Sequence, residues 1–429
     1  MRDGSLVSSS IEYLRDPLRK NSLFIIGTHL VIALVGFLFW VVAARLYTDE
    51  EVGLATGLIS AMFVLRTLSK LGLDIGLIRF LPEEQDKRDM INTCLTLGGI
   101  CSAVLAVVFL AGVKLWTPDL GFVQDNVRYA VFFVVFSVLS SLVVLQSYVF
   151  IPLRCTEFTF IQNIIAGLRL PLLWPLMAIG AFGVFSSWGI AVGVAFLAGV
   201  FFTARRQRGY RPMPVVRRRV VGKMLRFSLG NYAAETLREL PPFVLNLMII
   251  NMLGAEMGAY FFVAWTISDV LFMISYGTSY SLLAEASHRP DGLRSDVVRA
   301  ARFMFQLLLP AIFVLLVFGG MILGLFGGEY ASNGATLLRI YAVSGIPIVF
   351  NSIYVTVKRV QRQTKPIMLI YGFVAVLSVG VAYPLLQRYD LVGAGIAWVC
   401  SQLVVTAVTG PSLLRMWSRS AARPPESST

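Results

Sequence analysis

Glu51-Val52-Gly53 recurs 205 residues later as Glu256-Met257-Gly258. After one inserted residue, the match continues with Gly189-Ile190-Ala191 on Gly395-Ile396-Ala397. Between these two points the shift of 205 also relates Gly72 to Gly277, Ser147 to Ser352, Arg154 to Arg359, Thr159 to Thr364 and Gly167 to Gly372. An offset that stays almost constant over this length predicts a duplicated domain. Two similar halves in a membrane are the architecture of a transporter.

The composition places both halves in a membrane. The chain has 429 residues, of which 57% are hydrophobic and 14% charged, whereas a soluble domain has about 25% charged residues. A membrane helix needs about 20 apolar residues. We predict an all-α integral membrane protein with twelve such spans, six per half: Ser22–Ala44, Gly53–Leu73, Ile91–Val113, Tyr129–Leu153, Phe158–Phe182, Val184–Ala204, Met224–Met252, Gly258–Leu283, Phe303–Gly328, Ala331–Val357, Pro366–Gln387 and Leu391–Leu414.

The basic residues predict the orientation. With both termini in the cytoplasm, the cytoplasmic side receives nearly all basic loops, as the positive-inside rule requires. We predict a cytoplasmic N-terminus (1–20), a first lobe (21–204), a basic linker (205–223), a second lobe (224–417) and a disordered tail (418–429). Pro212 and Pro214 argue against a continuous helix in the linker. The loop arginines counted here include Arg359, together with Lys358, Arg362 and Lys365.

Several classes of function are disfavoured. The net charge of +13 is explained by loops beside anionic lipid headgroups, so no nucleic-acid partner is expected. Two histidines and four cysteines predict neither a metal site nor a disulfide framework. The sequence has no phosphate-binding loop of the G-x-x-x-x-G-K-[ST] type, so we expect no ATP hydrolysis. No cofactor is expected apart from coupling to H⁺ or Na⁺.

Charged residues inside the predicted spans are the candidate site. Each costs roughly 2.5–3.5 kcal/mol at the centre of a membrane helix, so they must pair or line a wet cavity. In the seventh span, Glu235, Arg238 and Glu239 share one helical face beside the break at Pro241-Pro242. Broken helices often mark ion sites in transporters. Alternatively, the three charges form a self-neutralising cluster that holds helices together, and its one excess negative charge suggests a bound proton or cation.

Four further charged residues lie in other spans. Arg66 and Lys70 are four residues apart on one face of the second span, and Lys70 is close enough to the headgroups to snorkel. Arg169 lies near the centre of the fifth span, without an acidic residue nearby in sequence. Asp269 in the eighth span is either the ion-pair partner of Arg169 or part of a coupling site with Glu235 or Glu239.

Three motifs carry a resemblance to a known family. They are Ala43-Ala44-Arg45-Leu46-Tyr47-Thr48-Asp49-Glu50-Glu51-Val52-Gly53, Leu71-Gly72-Leu73-Asp74-Ile75-Gly76-Leu77-Ile78-Arg79-Phe80-Leu81-Pro82-Glu83, and Phe326-Gly327-Gly328-Glu329-Tyr330 followed by Leu337-Leu338-Arg339-Ile340. Together they resemble the lipid-linked oligosaccharide and polysaccharide flippases, whose superfamily also contains multidrug exporters.

The resemblance implies two six-helix lobes that open alternately and move a polyprenyl-(pyro)phosphate-linked glycan outward across a prokaryotic plasma membrane. Glycosyltransferases or a polymerase of the same pathway are the implied protein partners. Because guanidinium groups bind phosphate bidentately, we expect Arg66, Arg169 and Arg238, assisted by Lys70, to hold the headgroup. Separately, Glu235, Glu239 and Asp269 are expected to take protons or sodium ions.

Two other functions remain open. A multidrug or cation antiporter of the same superfamily would favour cationic cargo through carboxylates, whereas this interior contains charges of both signs. A membrane glycan polymerase or ligase usually needs large outer loops with catalytic groups, and the predicted outer loops are short. Drug-resistance assays and assays for glycosidic-bond formation distinguish these two classes from a flippase.

Overall fold

The computed structural model describes residues 17–207, 209–288 and 293–421, and within these ranges it contains helices but no β-strand. We label the helices of eight or more residues in chain order: α1 (Pro17–Leu46), α2 (Asp49–Ser69), α3 (Leu73–Phe80), α4 (Lys87–Trp116), α5 (Val127–Phe150), α6 (Glu157–Ala166), α7 (Ala181–Arg206), α8 (Arg218–Glu239), α9 (Pro241–Leu253), α10 (Ala255–His288), α11 (Leu293–Gly324), α12 (Gly328–Val360) and α13 (Thr364–Ala421).

The helices form two compact units that divide between Tyr232 and Ala233, within α8. In the first lobe, which ends at Tyr232, α5 packs against α4 and α7, and α2 packs against all three. In the second lobe, which begins at Ala233, α12 packs against α10, α11 and α13, while α9 contacts α10 and α13. Each lobe has its own buried aromatic core, around Phe39 and Phe185 in the first and around Phe261 and Tyr341 in the second.

Nine helices in the described part of the chain are long and apolar enough to cross a membrane. Eight of the predicted spans coincide with one helix each, and the last two both lie in α13. The backbone of α13 leaves the helical region at Asp390 (φ 48°, ψ −138°), between these two spans. The all-helical membrane fold is therefore confirmed, whereas the number of twelve spans and the cytoplasmic location of both termini stay predictions.

The fifth span differs from the prediction of one helix over Phe158–Phe182. Helix α6 ends at Ala166, a single helical turn follows at Arg169–Leu172, and a 3₁₀ turn occupies Met177–Ile179. Pro171 and Pro175 cause the interruption, because neither has an amide hydrogen for the helix. Hydrophobicity remains high across both prolines, so the apolar run alone did not reveal the break.

The seventh span is interrupted at the predicted place. Helix α8 ends at Glu239 and α9 begins at Pro241, with Leu240 between them. Pro241 and Pro242 cannot donate to the carbonyls of Leu237 and Arg238. The next amides, of Phe243 and Val244, both donate to the carbonyl of Leu240. The chain continues as a second helix, and the charged residues occupy the last two turns before the interruption.

The turn after α2 corrects the predicted end of the second span. The expected helix extended to Leu73, but α2 ends at Ser69, because Leu71 (φ 50°) and Gly72 (φ 75°) are left-handed. A Cβ atom on Gly72 would lie 2.6 Å from the Cβ atom of Ser228 in α8, so only glycine allows this approach. The sharp turn seats the start of α8 against the first lobe.

The linker is extended and ordered against α4. Residues 209–217 contain no helix, as Pro212 and Pro214 predicted. The Asn92 side chain donates to the Arg211 carbonyl at 3.0 Å, and the Arg217 amide donates to the Thr93 hydroxyl at 3.2 Å. Arg208 of the predicted linker lies outside the described residues, as do 1–16 of the N-terminus and 422–429 of the tail. The α13 backbone is helical to Ala421, so it includes 418–421 of the predicted disordered tail.

A close contact of α7 gives a stability prediction. A Cβ atom on Gly189 would lie 2.2 Å from the ring of Phe136, which also packs against Phe132 and Phe185. We expect Gly189→Ala to destabilise the protein by about 1–3 kcal/mol, because the ring has to shift within a packed core. Thermal unfolding of the purified protein in detergent measures the change.

Gly320 provides the matched control, because it is also a helical glycine and its added Cβ would meet nothing within 4 Å. Gly320→Ala is expected to leave the unfolding temperature unchanged or to raise it, since alanine favours helix by up to about 1 kcal/mol. Equal unfolding temperatures for wild type and Gly189→Ala would contradict the predicted overlap.

Candidate functional site

The second lobe contains a compact ionic cluster, centred on the carboxylate of Glu235. Arg238 donates through Nε to Glu235 Oε2 at 2.7 Å, and Arg359 donates through Nη2 to Glu235 Oε1 at 2.7 Å. Arg238 also approaches Glu239 Oε1 through Nη2 at 3.4 Å. All four side chains are about one-quarter exposed. Each oxygen of one carboxylate thus binds a different guanidinium group.

The two helices that supply the cluster explain its geometry. Glu235 and Arg238 are three residues apart in α8, so their side chains lie on the same face of the helix. Arg359 is the penultimate residue of α12, whose 33 residues continue past the predicted end of the span. On the predicted topology this end of α12 faces the cytoplasm. The cluster therefore lies beside the C-terminal end of α12 rather than beside its middle.

Aromatic and hydroxyl side chains surround the two arginines in a cleft of the second lobe. The guanidinium carbon of Arg238 lies 5.6 Å from the ring centroid of Tyr276, and that of Arg359 lies 5.6 Å from the ring centroid of Tyr280. Tyr371 of α13 lines the same cleft. Three hydroxyl-bearing residues also line the cleft, namely Ser279, Ser352 and Thr356, together with the apolar Leu283 and Val355. Two cations with surrounding hydroxyl groups suit an anionic, oxygen-rich ligand.

Arg359 is a member of the cluster that the sequence did not predict. It was counted among loop arginines, which was wrong, because α12 extends to Val360 and Arg359 is paired inside the lobe. The internal repeat indicated that Arg359 is unusual. A shift of 205 residues aligns it with Arg154, and few other charged residues are aligned with an identical residue. No local pattern reveals its partner, because Glu235 lies 124 residues away.

The charge balance of the cluster differs from the expected excess of one carboxylate. With Arg359 included, Glu235 and Glu239 are matched by two guanidinium groups. Asp269 of α10 interacts electrostatically with Arg238 and adds a third carboxylate to this region, so an excess of one carboxylate over the two guanidinium groups returns when Asp269 is counted. The structure therefore brings together Glu235, Arg238, Glu239 and Asp269. An ion pair of Asp269 with Arg169 would join the two lobes and stays a prediction.

In the first lobe, Arg66 and Arg169 flank one aromatic cluster. The guanidinium carbon of Arg169 lies 3.9 Å from the ring centroid of Trp188 and 5.3 Å from that of Phe39. Arg66 lies 4.1 Å above the ring of Phe63, which in turn packs against Trp188 with ring centroids 5.8 Å apart. Stacking on aromatic faces stabilises guanidinium groups without neutralising them.

Arg169 is the more buried of these two arginines. It is 8% exposed, and its buried Nε has no hydrogen-bond partner among the residues that the structure describes. A buried guanidinium group with an unused hydrogen-bond donor can bind an anionic ligand. Its role in holding a headgroup stays a prediction.

Lys70 was expected to extend toward the headgroups, and the structure places it differently. The side chain is buried in the first lobe, with Nζ 3.8 Å from Asp74 Oδ2. Asp74 thus compensates part of its charge. Lys70 adjoins the left-handed turn at Leu71 and Gly72, so this ion pair helps to hold the turn. Binding of a headgroup by Lys70 stays a prediction and would compete with Asp74.

Comparisons with known proteins agree with the fold. Residues 18–237 match the family described as Polysaccharide biosynthesis protein, and residues 238–384 match the family described as MatE. No curated protein matches the chain.

Solved structures of transporters share the fold at low sequence identity. An inward-facing multidrug resistance MATE transporter of the MOP superfamily superposes with a TM-score of 0.71 at 15% identity, covering 91% of this chain and 96% of that one. The lipid II flippase MurJ, in an inward closed conformation, superposes with a TM-score of 0.71 at 11% identity, covering 91% of this chain and 87% of that one. A MOP superfamily transporter from Pyrococcus furiosus superposes with a TM-score of 0.60 at 17% identity, covering 96% of this chain and 99% of that one.

The family match extends through the first lobe and ends between Glu235 and Arg238, and the structural matches extend through both lobes. The matched families and structures are transporters or flippases. The chain belongs to the polysaccharide biosynthesis protein family and has the fold of the MOP superfamily of membrane transporters.

Proposed function

We propose that this protein flips a polyprenyl-phosphate- or polyprenyl-pyrophosphate-linked oligosaccharide from the cytoplasmic to the outer leaflet of a prokaryotic plasma membrane. The observation that carries the proposal is the Arg238–Arg359 pair, whose guanidinium groups bind one carboxylate at 2.7 Å each. Such a pair can hold two oxygens of a phosphate group in the same way.

The surroundings of the arginine pair support a glycan-bearing ligand. Tyrosine rings and hydroxyl groups line the same cleft, and sugars bind through hydrogen bonds and apolar stacking. Near the cytoplasmic end of α12, the cleft would meet a headgroup that is synthesised inside the cell. The polyprenyl chain can remain in the lipid, because only the charged headgroup is excluded from hydrocarbon. The name of the MurJ relative indicates that this fold can move a lipid-linked substrate.

The driving force and the protein partners belong to the same proposal. Glu235, Glu239 and Asp269 are the carboxylates that would accept H⁺ or Na⁺. Glycosyltransferases on the cytoplasmic side would supply the glycan, and a polymerase on the outer side would use it.

Purified protein in liposomes tests the function. The substrate is a fluorescent polyprenyl-pyrophosphate-linked sugar, and its appearance in the other leaflet is followed with a membrane-impermeant quencher. We expect protein-dependent flipping of this lipid and none of a polyprenyl glycoside that lacks phosphate. Flipping of both lipids would show scrambling rather than recognition, and flipping of neither would contradict the proposal.

The MatE match favours a second candidate, an antiporter of organic cations. The cleft contains charges of both signs, so its two arginines disfavour cationic cargo, whereas Glu239 and Asp269 would attract it. The same liposomes with a fluorescent cationic dye distinguish the two functions. Dye movement driven by a proton or sodium gradient, without movement of the pyrophosphate lipid, would favour the antiporter.

A further inference from the structure

Glu235 occupies the place that a substrate phosphate would need. Its Oε2 and Oε1 accept from Arg238 and Arg359 at 2.7 Å each. These two arginines are the groups that the proposed function assigns to the phosphate. A carboxylate and a phosphate both present a pair of oxygens to a guanidinium group. The protein's own carboxylate and the substrate are therefore competing anions for one pair of cations.

We propose that substrate phosphate displaces Glu235 from Arg238 and Arg359, and that Glu235 takes up one proton when it is displaced. This inference rests on the proposed function and adds a mechanism of coupling at the same site. The proton comes from water at the cytoplasmic opening and binds one carboxylate oxygen. It is released when the phosphate leaves and the arginines recapture the carboxylate.

The charges around Glu235 determine the direction of this linkage. The charged and titratable groups near it are Arg238 and Glu239 on α8, Asp269, Tyr276 and Tyr280 on α10, Arg359 on α12 and Tyr371 on α13. Among the described residues, the two arginines are the groups that stabilise its negative charge. Once both bind phosphate, the carboxylate remains partly buried beside Glu239 and the substrate's negative charge. Burial and like charges both favour the protonated carboxyl.

Reciprocity makes the inference measurable in two ways. If phosphate binding promotes protonation, protonation must promote phosphate binding by the same factor. The affinity of the wild type for phosphate ligands should therefore rise as the pH falls. Glu235→Gln removes both the competing anion and the proton site. We expect this variant to bind pyrophosphate at least about tenfold more tightly at pH 7.5, with a weaker dependence on pH.

The experiment is calorimetric titration of the detergent-purified full chain with inorganic pyrophosphate, in two buffers of different ionisation enthalpy. The buffers give the number of protons exchanged per bound ligand. Pyrophosphate changes its own protonation on binding, so the decisive quantity is the difference between variants. For each pyrophosphate bound, we expect the wild type to take up more protons than Glu235→Gln does, by at most one. Glu256→Gln, an exposed acid in the first turn of α10, should match the wild type.

Glu235→Asp keeps a titratable carboxylate and should retain proton uptake, so the linkage remains testable if Glu235→Gln folds poorly. The inference would be overturned if the wild type and Glu235→Gln exchanged the same number of protons per bound pyrophosphate and their affinities for pyrophosphate depended equally on pH. That result would leave the arginine site intact. Weaker binding by a folded Glu235→Gln would also overturn it, because Glu235 would then position the arginines rather than compete. Absence of pyrophosphate binding to the wild type would overturn this inference and the proposed phosphate site together.

Discussion

Arg359→Gln is expected to slow the flipping of a pyrophosphate-linked sugar by about 10- to 100-fold. The substitution removes one of the two guanidinium groups that bind Glu235, each at 2.7 Å. Glu235 then has only Arg238, and the substrate must compete for that one cation. A hydrogen bond to a charged group contributes about 1.5–3 kcal/mol, which corresponds to this range of rates. The liposome assay with the fluorescent lipid measures the change.

Two further variants separate a specific loss from general damage. Arg339→Gln is the matched control, because Arg339 lies on the same helix but is exposed, and its Nε donates only to the Leu316 carbonyl at 3.2 Å. We expect this variant to transport normally. Arg359→Lys keeps the positive charge but loses the planar guanidinium group that binds two oxygens at once. Its flipping rate should therefore lie between those of the wild type and Arg359→Gln. A normal rate for Arg359→Gln would remove Arg359 from the phosphate site.

The sequence was sufficient for the fold wherever the information is local. Long apolar runs identified the membrane helices. The break at Pro241-Pro242 follows from the chemistry of proline alone. The spacing of Glu235, Arg238 and Glu239 placed them on one helical face, where the structure also finds them.

The errors arose at helix ends and interruptions, and in the pairing of Arg359 with a residue far away in sequence. Arg359 was placed in a loop because hydropathy defines helix ends only within a few residues, and α12 continues three residues past the predicted end. Lys70 was expected near the headgroups because the sequence shows its position near a span end but not that its side chain is buried, where Asp74 pairs with it. The break in the fifth span depends on Pro171 and Pro175, whose effect was hidden by uniformly apolar neighbours.

Arg169→Met is expected to raise the unfolding temperature and to slow flipping by at least about tenfold. Arg169 is buried against Trp188, and no carboxylate among the described residues of the first lobe pairs with it. A desolvated cation–aromatic contact contributes about 2 kcal/mol, less than the several kcal/mol that burying an ion costs. Methionine fills a similar volume without that cost. Thermal unfolding and the liposome assay measure both changes on one protein preparation.

The two measurements together distinguish a structural arginine from a functional one. If Arg169 only packs, methionine would stabilise the lobe and leave transport unchanged. If Arg169 binds an anionic group of the substrate, the protein keeps a destabilising buried cation for that purpose. Arg169→Met should then unfold at a higher temperature and flip the lipid more slowly. Arg128→Met is the control, since Arg128 is exposed at the start of α5 and should change neither quantity. A variant that is destabilised and inactive would indicate instead that the stack with Trp188 and Phe39 holds the interrupted fifth span in place.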